Sequence, residues 1–446
     1  MLRQVAFSCL VALMALPAVA RTRPHYGGTL RVEVEGDAVP QHGGLVRRLM
    51  LDGLTRIGSD GTPQPALAIR WTSENNDHRW QFWLRTGVHF QNDSTLTSVA
   101  VEASLYRSCG PSCPWTTVRT VGPSVVFTSD SPMPNLPALL AGDDYLIGLD
   151  TGSSAIVGTG PFEPAAETPR GDVQRLVANE TCWQGRPFVD TIEVHSHKSI
   201  HDQWLDLSVG RADIVEVPAE QIRLAQQQHL TVIASPPVTL LALAVADSSV
   251  LGNPNLRAAI ALAVDRSALS NVIFQKQGEV TASLLPSALT GYSFLFPTDR
   301  DLNKAHELRG GLTAPALTLA ADSNPTMQLA AQRLALNLHE AGFNVQVANA
   351  ATAPHKDLAL IQLTLASTQP QPALESMLRG VGVTTPVLES TPAGLYKTER
   401  EFLETHTLIP LLYLPRAYAI SGRVRDLRLS PDGSPLLADV SLQDAQ

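Results

Sequence analysis

The sequence predicts a mixed α/β fold, because strand-like and helix-like patterns alternate along its 446 residues. Residues 27–34 alternate apolar and polar side chains, which is typical of a strand. Residues 256–269 repeat apolar side chains at helical spacing. Asn324-Pro325 before residues 326–341, with Gly342 after them, predicts a helix with proline at its start and glycine at its end. A chain of this length has room for two or three domains.

Two shorter elements are predicted between the first strand and the middle of the chain. Residues 80–90 alternate around Thr86-Gly87, which predicts a hairpin with its turn at these two residues. Residues 98–107 then form a predicted helix. Strands and helices therefore continue to alternate through the first quarter of the chain.

The first twenty residues have the pattern of a signal peptide. Arg3 supplies a positive start, residues 5–16 form an apolar run, and Ala18-Val19-Ala20 fits a small-x-small cleavage site. This run is too short to span a membrane as a helix, and no later segment reaches the roughly eighteen apolar residues required. We therefore expect a signal peptide over residues 1–20 and a soluble, periplasmic mature chain.

Composition and missing motifs argue against several function classes. The formal net charge is −9, only 17% of residues are charged, and there is no basic run. Binding to nucleic acid is therefore not expected. The chain lacks a phosphate loop, a Gly-x-Ser-x-Gly elbow and a His-Glu-x-x-His motif. We expect neither an enzyme nor a cofactor.

Two patterns leave alternatives open. Asp150-Thr151-Gly152-Ser153 matches the active-site loop of pepsin-type proteases, but that chemistry needs two such carboxylates and no second loop occurs. Turn chemistry explains the same residues. His195 and His197 would share a strand face, with His201 close enough to complete a metal site. Solvent-facing histidines are the other interpretation, because the neighbouring apolar residues mark the opposite face as core.

Three cysteines remain after the predicted cleavage. Cys109 and Cys113 flank Gly-Pro-Ser in a turn-rich stretch. In an oxidising compartment this spacing favours a local disulfide, with two free thiols as the alternative. Cys182 is then unpaired, and we expect it to be a small buried residue.

Several motifs resemble one known family. The wording of residues 256–269, LRAAIALAVDRSAL, is similar to the R-x-A-I-x-x-A-I-D-R-x-x-L helix of family 5 extracellular solute-binding proteins, the peptide and nickel receptors of ABC importers. Other segments match in the same order: Gly53-Leu54, Asp60-Gly61, Pro65-Ala66-Leu67-Ala68, Trp71, and residues 82–90, 157–162, 179–187 and 207–214. The resemblance covers nearly all of the chain after the signal peptide.

The resemblance implies a two-lobed periplasmic-binding-protein type II fold with an extra subdomain inserted in the N-terminal lobe. The main subdomain of lobe I would comprise residues 21–52, 153–236 and 416–446. The inserted subdomain would span residues 53–152, and lobe II residues 237–415. The implied function is that of a monomeric receptor that captures a peptide or other medium-sized polar solute by hinge closure and delivers it to an ABC permease. A ligand-sensing or degenerate, non-transporting relative that acts through a protein partner is the alternative.

The same resemblance implies where the ligand binds. The family cleft is lined by the loop after the first strand, the re-entry into lobe I, the segment entering lobe II and the loop after a late strand. The corresponding residues are Glu35, Asp37, His42, Phe162, Leu243, Thr364, Ser367 and Gln369. Peptide-binding relatives keep an acidic residue on the last loop for the ligand's ammonium group. This chain has none between Asp357 and Glu375, so a neutral, amide-rich or sugar-like ligand fits as well.

Overall fold

The computed structural model describes residues 25–36, 44–58, 60–109, 113–152, 156–167, 172–246, 251–290, 297–311, 316–383, 388–389 and 391–443. The predicted signal peptide lies outside these ranges.

The described chain alternates strands and helices, as the sequence predicts. The strands are β1 (Thr29–Glu33), β2 (Thr55–Ile57), β3 (Pro63–Pro65), β4 (Ala68–Glu74), β5 (Arg79–Leu84), β6 (Thr117–Val121), β7 (Ser124–Thr128), β8 (Leu149–Asp150), β9 (Ile156–Val157), β10 (Phe162–Pro164), β11 (Val173–Ala178), β12 (Thr191–His195), β13 (Ile214–Val217), β14 (Thr231–Val245), β15 (Glu279–Val280), β16 (Ala316–Ala321), β17 (Asn344–Asn349), β18 (Leu358–Thr364), β19 (Leu408–Ile420), β20 (Val424–Arg425), β21 (Arg428–Leu429), β22 (Pro435–Leu436) and β23 (Ser441–Leu442). The helices are α1 (Leu45–Met50), α2 (Ser98–Cys109), α3 (Leu136–Leu139), α4 (Ile200–Ser208), α5 (Ile222–Gln227), α6 (Pro254–Ala263), α7 (Arg266–Ala268), α8 (Ser287–Thr290), α9 (Leu302–Arg309), α10 (Pro325–Glu340), α11 (Pro370–Gly380) and α12 (Pro392–Leu403). None of the described helices is long and apolar enough to cross a membrane.

One large sheet runs through the molecule, in the order β10-β11-β12-β1-β13-β19-β14-β18-β16-β17, with β15 paired to β19. We call the strands β10, β11, β12, β1 and β13, together with α1, α4 and α5, lobe I. Lobe II is the part formed by β18, β16 and β17 with the helices from α6 to α12. The long strands β14 and β19 pair antiparallel through both lobes. Their register shifts on both sides of Pro237, which lies opposite Pro415. Because proline lacks an N–H donor, this pair interrupts the ladder where the chain crosses between lobes.

A second sheet, β4-β5-β7-β6, packs with α2 around its own aromatic core. We call residues 53–152 the small-sheet unit. At its centre the rings of Phe82 and Phe127 meet edge to face, with centroids 5.4 Å apart. Trp115 contacts Phe127 in the same way at 4.9 Å. The described hydrophobic side chains form five buried clusters, of which two lie in lobe I, two in lobe II and one in the small-sheet unit. The exact domain boundaries remain a prediction.

The predicted hairpin over residues 80–90 is wrong. Strand β5 pairs with β4 and with β7, and not with the residues that follow it. After Gly87, which has a φ of 74°, the chain folds onto residues 94–96 instead. The amide of Phe90 donates to the carbonyl of Ser94 at 2.8 Å, and that of Leu96 to Val88 at 2.9 Å. The alternation is real, but β5 pairs with the preceding strand β4 and with β7, which lies some forty residues further along the chain.

The single helix predicted over residues 256–269 is broken. Helix α6 ends at Ala263, because Val264 is extended. Asp265 then caps α7 by accepting a hydrogen bond from the amide of Ala268 at 2.8 Å. Arg266 is buried, and its Nε donates to the carbonyl of Pro410 at 2.9 Å. The Asp-Arg pair therefore starts a new helix and ties it to β19.

Two of the family-like motifs meet at the half-buried carboxylate of Asp52, which directly precedes a third, Gly53-Leu54. It accepts hydrogen bonds from Thr159 Oγ1 at 2.8 Å, Trp183 Nε1 at 2.9 Å and Gln184 Nε2 at 3.1 Å. Gly158 lies directly against the end of α1, where a Cβ would overlap the carbonyl oxygen of Met50. The Gly-Thr-Gly motif thus lies against the end of α1, at the point where the chain leaves the small-sheet unit and enters lobe I again.

Cys113 is disulfide-bonded. The side chain of Cys109 is outside the described set, so the pairing of these two cysteines remains a prediction. Cys182 is a buried free thiol, as expected.

Candidate functional site

A cavity of about 970 Å³ lies between the two lobes. Lobe I contributes the loop after β1 and the end of β13, and lobe II contributes the start of α10 and the strand β18. The floor is formed by β14 and β19. The lining residues are 35–36, 200, 216–220, 239, 274, 322–327, 350, 360–362, 364 and 414–418. This volume is at the upper end of the range for small-molecule sites.

A second cavity of about 500 Å³ continues from the first. The two share Gly36, Glu216, Thr364, Arg416 and Tyr418 in their linings. The space between the lobes is therefore longer than the first cavity alone, and it extends toward α1 and the chain's C-terminal strands.

Two of the predicted ligand-binding residues line the main cavity. Glu35 lies just after β1, and the exposed Thr364 ends β18 on the opposite lobe. Asp37 and His42 lie outside the described residues. The sequence therefore located one residue on each wall of the cleft.

Phe162 and Leu243 are corrections to the predicted site. Both side chains are fully buried. Phe162 packs in the core of lobe I, and Leu243 packs in the core of lobe II against the α6 helix. Around Leu243 both faces of β14 are covered, because Leu241 and Leu243 belong to one buried cluster and Leu240 and Ala242 to another.

Ser367 and Gln369 do not reach the main cavity. The hydroxyl of Ser367 accepts a hydrogen bond from the amide of Gln369 at 3.0 Å, just before α11. Gln369 turns its side chain toward the small-sheet unit, where Nε2 donates to the carbonyl of Gly61 at 3.0 Å. Ser367 lines a separate cavity of about 390 Å³ between lobe II and that unit.

The described residues that line the main cavity include four carboxylates that the sequence did not bring together. Glu35, Glu216 and Glu220 come from lobe I, and Asp322 comes from the loop before α10. Burial raises the pKa of Glu35, and the charges of Asp322 and Glu220 raise it further. Burial also raises the pKa of Glu216. Negative charge is therefore concentrated where the two lobes approach each other.

Hydrogen bonds hold these carboxylates in place across the cleft. The amide of Glu35 donates to Glu216 Oε2 at 2.7 Å. From lobe II, Thr326 Oγ1 donates to Glu220 Oε1 at 2.6 Å, and Asn324 Nδ2 approaches Glu35 Oε2 at 3.4 Å. Asn324 also caps α10 through its Oδ1 atom, so its position is set by the helix start that the sequence predicts.

Arg416 is the one lysine or arginine among the described residues that line this cavity. Its Nη1 donates to Ser434 Oγ at 3.2 Å, and among the described residues it forms no ion pair. Apolar side chains complete the walls, including Ile200, Phe274, Met327 and Leu360. The site can therefore hold a polar ligand that has both charged and apolar parts.

The two open alternatives receive little support from the geometry. Asp150 accepts a hydrogen bond from the amide of Gly152 at 2.8 Å, which is the local turn that its sequence favours. His197 and His201 are exposed, and His195 is half-buried on β12. Across the described part of the chain, no group of three or more histidine, cysteine or acidic side chains is arranged to hold a metal ion.

A buried carboxyl lies beside the cleft loop. Glu33, at the end of β1, is only 2% exposed. Lys198 Nζ is 3.6 Å from Glu33 Oε1 and 2.8 Å from Asp206 Oδ2. Burial raises the pKa of Glu33 from 4.5 to about 7, against the opposing charge of Lys198. The folded chain therefore holds this proton more tightly than the unfolded chain does.

Stability should consequently fall as pH rises from about 4.5 through about 7. Glu33→Gln keeps the neutral form at every pH. Relative to this variant, the wild type should lose about 2–3 kcal/mol of unfolding free energy between pH 5 and pH 8. Urea unfolding at both pH values measures the difference. Glu401→Gln, at an exposed site on α12, is the control and should follow the wild type; a Glu33→Gln curve parallel to wild type would contradict the assignment.

Comparison with known proteins identifies the family of the chain. The sequence profile of the bacterial extracellular solute-binding proteins, family 5, matches residues 62–384. The chain belongs to this family. A probable di/tripeptide-binding protein 5 of Pseudomonas aeruginosa is 25% identical to this solute-binding protein over 403 residues, which cover 78% of the chain and 76% of the relative.

Solved structures show the same fold. DppA of Helicobacter pylori, in complex with the peptide STSA, superposes with a TM-score of 0.80 at 17% identity and covers 94% of the chain and 98% of its own. NikA of Staphylococcus aureus, in complex with Ni(L-His)2, superposes with a TM-score of 0.79 at 16% identity, covering 93% and 100%. The solute-binding protein thus has the two-lobed type II periplasmic-binding fold that its sequence predicts.

Proposed function

We propose that this protein is the soluble receptor of an ABC importer and captures its solute in the cleft between the lobes. The observation that carries the proposal is the cavity of about 970 Å³, lined from both lobes and floored by the two crossing strands. Closure around a ligand at such a site excludes water and strengthens polar contacts. The relatives' names, which include di/tripeptide- and glutathione-binding proteins, support a peptide or similar polar solute.

The proposal extends to location and partners. The relatives include a peptide transport periplasmic protein of Salmonella typhimurium, which supports a periplasmic site of action. The mature chain would act as a monomer and present its closed form to a membrane permease. It would not be an enzyme, since ligand capture requires no reacting group.

The charges of the cleft narrow the ligand class. Closure brings Asp322 of lobe II toward Glu35 and Glu220 of lobe I, and the like charges of these carboxylates repel. A ligand with a positive group offsets that repulsion, whereas a neutral ligand does not. The amino group of a peptide can therefore be bound here, although the loop after β18 has no acidic residue.

A thermal-shift panel tests the proposed function. The mature protein is heated alone and with Ala-Ala-Ala, N-acetyl-Ala-Ala-Ala, glutathione, maltose or the nickel–histidine complex. A free-amine peptide should raise the melting temperature by several degrees, because a ligand at 100 times its Kd stabilises by about 2.7 kcal/mol. If no compound shifts the melting temperature, the receptor proposal loses its support.

The cleft carboxylates should determine affinity for the amine. Glu35→Gln and Asp322→Asn should each weaken Ala-Ala-Ala binding by about tenfold or more, because each removes a charge-assisted contact worth about 1.5–3 kcal/mol. Calorimetric titration measures the Kd. Glu74→Gln, on the exposed strand β4, is the matched control and should bind normally. Equal affinities for all four proteins would place the ammonium group elsewhere.

A further inference from the structure

A set of neutral hydrogen bonds joins the small-sheet unit to lobe II, and none of the residues that form them lines the main cavity. The carbonyl of Gly61, in the turn between β2 and β3, accepts from Thr368 Oγ1 at 3.1 Å and from Gln369 Nε2 at 3.0 Å. Beside it, Asn135 Nδ2 donates to Gln371 Oε1 at 2.8 Å. We call these three bonds the interlobe clamp.

Residues on both sides of the clamp have features that the contact explains. Gly61 stands at a turn yet is buried, because lobe II covers it. Its φ is 76°, and a Cβ there would overlap Thr368 Oγ1. Asn135 and Gln369 occupy the positions before α3 and α11, where a side chain often caps the helix. Neither caps its helix, and both side chains bond across the interface instead.

The turn that carries Gly61 is held by hydrogen bonds within the turn itself. The amide of Gly58 donates to the carbonyl of Thr62 at 2.9 Å, and that of Gly61 donates back to Gly58 at 3.0 Å. The carboxylate of Asp60 accepts from both the amide and the hydroxyl of Thr62, at 3.0 and 2.9 Å. The acceptor of the clamp is therefore held in position before lobe II reaches it.

We propose that the clamp keeps the small-sheet unit against lobe II without any ligand, so that the segment 367–371 closes the cleft rather than contacting the solute. Its members carry no charge, so neither pH nor salt in the ordinary range releases them. At the main cavity, Asn324 and Thr326 of lobe II donate hydrogen bonds to the carboxylates of lobe I. The like charge of Asp322 opposes this contact. Opening then occurs at the main cavity, between Asp322 and the carboxylates of lobe I. The apparent ligand affinity depends on the fraction of molecules that the clamp keeps closed.

Spin labels measure the interlobe distance directly in the ligand-free protein. Labels are attached at Ser73→Cys in the small-sheet unit and Lys397→Cys in lobe II, with Cys182→Ala as background. The clamp variant combines Thr368→Val with Gln369→Ala. The control combines Thr352→Val with Gln346→Ala, which removes the same groups from exposed positions of lobe II.

The wild type and the control should each give one narrow distance distribution. The clamp variant should show a second, separated population, with the closed-to-open ratio lowered about tenfold, as expected for two lost neutral hydrogen bonds. Gly61→Ala should produce the same population by steric displacement, with thermal unfolding confirming that it is folded. A clamp variant with the wild-type distribution, or a wild type as broad as the variant, would overturn the proposal. No ligand enters the experiment, so its outcome is independent of whether the proposed receptor function is right.

Discussion

Asp213→Ala is expected to lower the free energy of unfolding by about 3–5 kcal/mol. The residue is 1% exposed, and its carboxylate binds Arg423 through Nε at 2.6 Å and Nη2 at 2.7 Å. It also accepts from the amide of Arg31 at 2.9 Å. Removing it leaves a guanidinium and a backbone amide without their acceptor at the junction of β1, β13 and the C-terminal segment. Urea unfolding measures the loss.

An exposed Asp–Arg pair serves as the control, because it has the same charges as the Asp213–Arg423 pair without the burial of the carboxylate. Arg428 and Asp439 form an ion pair of similar length, 2.5 Å, but both side chains are more than half exposed. Asp439→Ala should therefore cost about 1 kcal/mol or less. Similar losses for Asp213→Ala and Asp439→Ala would contradict the structural assignment of Asp213.

Gly158→Ala is expected to have the next largest effect, about 3 kcal/mol. The added methyl group would overlap the carbonyl oxygen of Met50 and approach Leu51 Cδ2 to 2.6 Å. Backbone atoms cannot turn away as a flexible side chain can, so β9 and α1 must separate or shift. The shift would also disturb the hydrogen bond from Thr159 to Asp52. Thermal and urea unfolding should agree on the loss.

Gly422→Ala provides the comparison for that substitution. Gly422 is exposed, and a Cβ there has no neighbour within 4 Å. The free energy of unfolding of the Gly422→Ala variant should remain within about 0.5 kcal/mol of the wild-type value. If Gly158→Ala were equally mild, the close packing of the re-entering chain on α1 would be wrong.

Local patterns were sufficient where the determinants lie within the element itself. The helix predicted over 326–341 is α10, Pro325–Glu340, because Asn324 supplies both the cap and the start signal. The first strand is β1 within the predicted 27–34. The domain ranges implied by the family resemblance change lobe after residues 236 and 415, and both positions lie in the paired long strands β14 and β19.

Long-range pairing explains what the sequence did not predict. Strand β5 pairs with the preceding β4 and the distant β7 rather than with the residues that follow it, so alternation alone placed the hairpin wrongly. The cleft carboxylates come from separate segments that only the fold brings together. Gln369 was assigned to the ligand because its position in the chain resembles the family loop, but its partner is Gly61, some three hundred residues earlier. No local signal connects those two residues.

Hydrogen exchange detected by mass spectrometry tests most directly whether the interlobe cleft is the binding site. The mature protein is compared alone and with a saturating amount of the panel compound that gives the largest thermal shift. Binding should slow exchange in residues 35–36, 216–220, 322–327 and 360–364, while β4 to β7 exchange as before. Protection confined to other surfaces, or no protection at all, would contradict capture between the lobes.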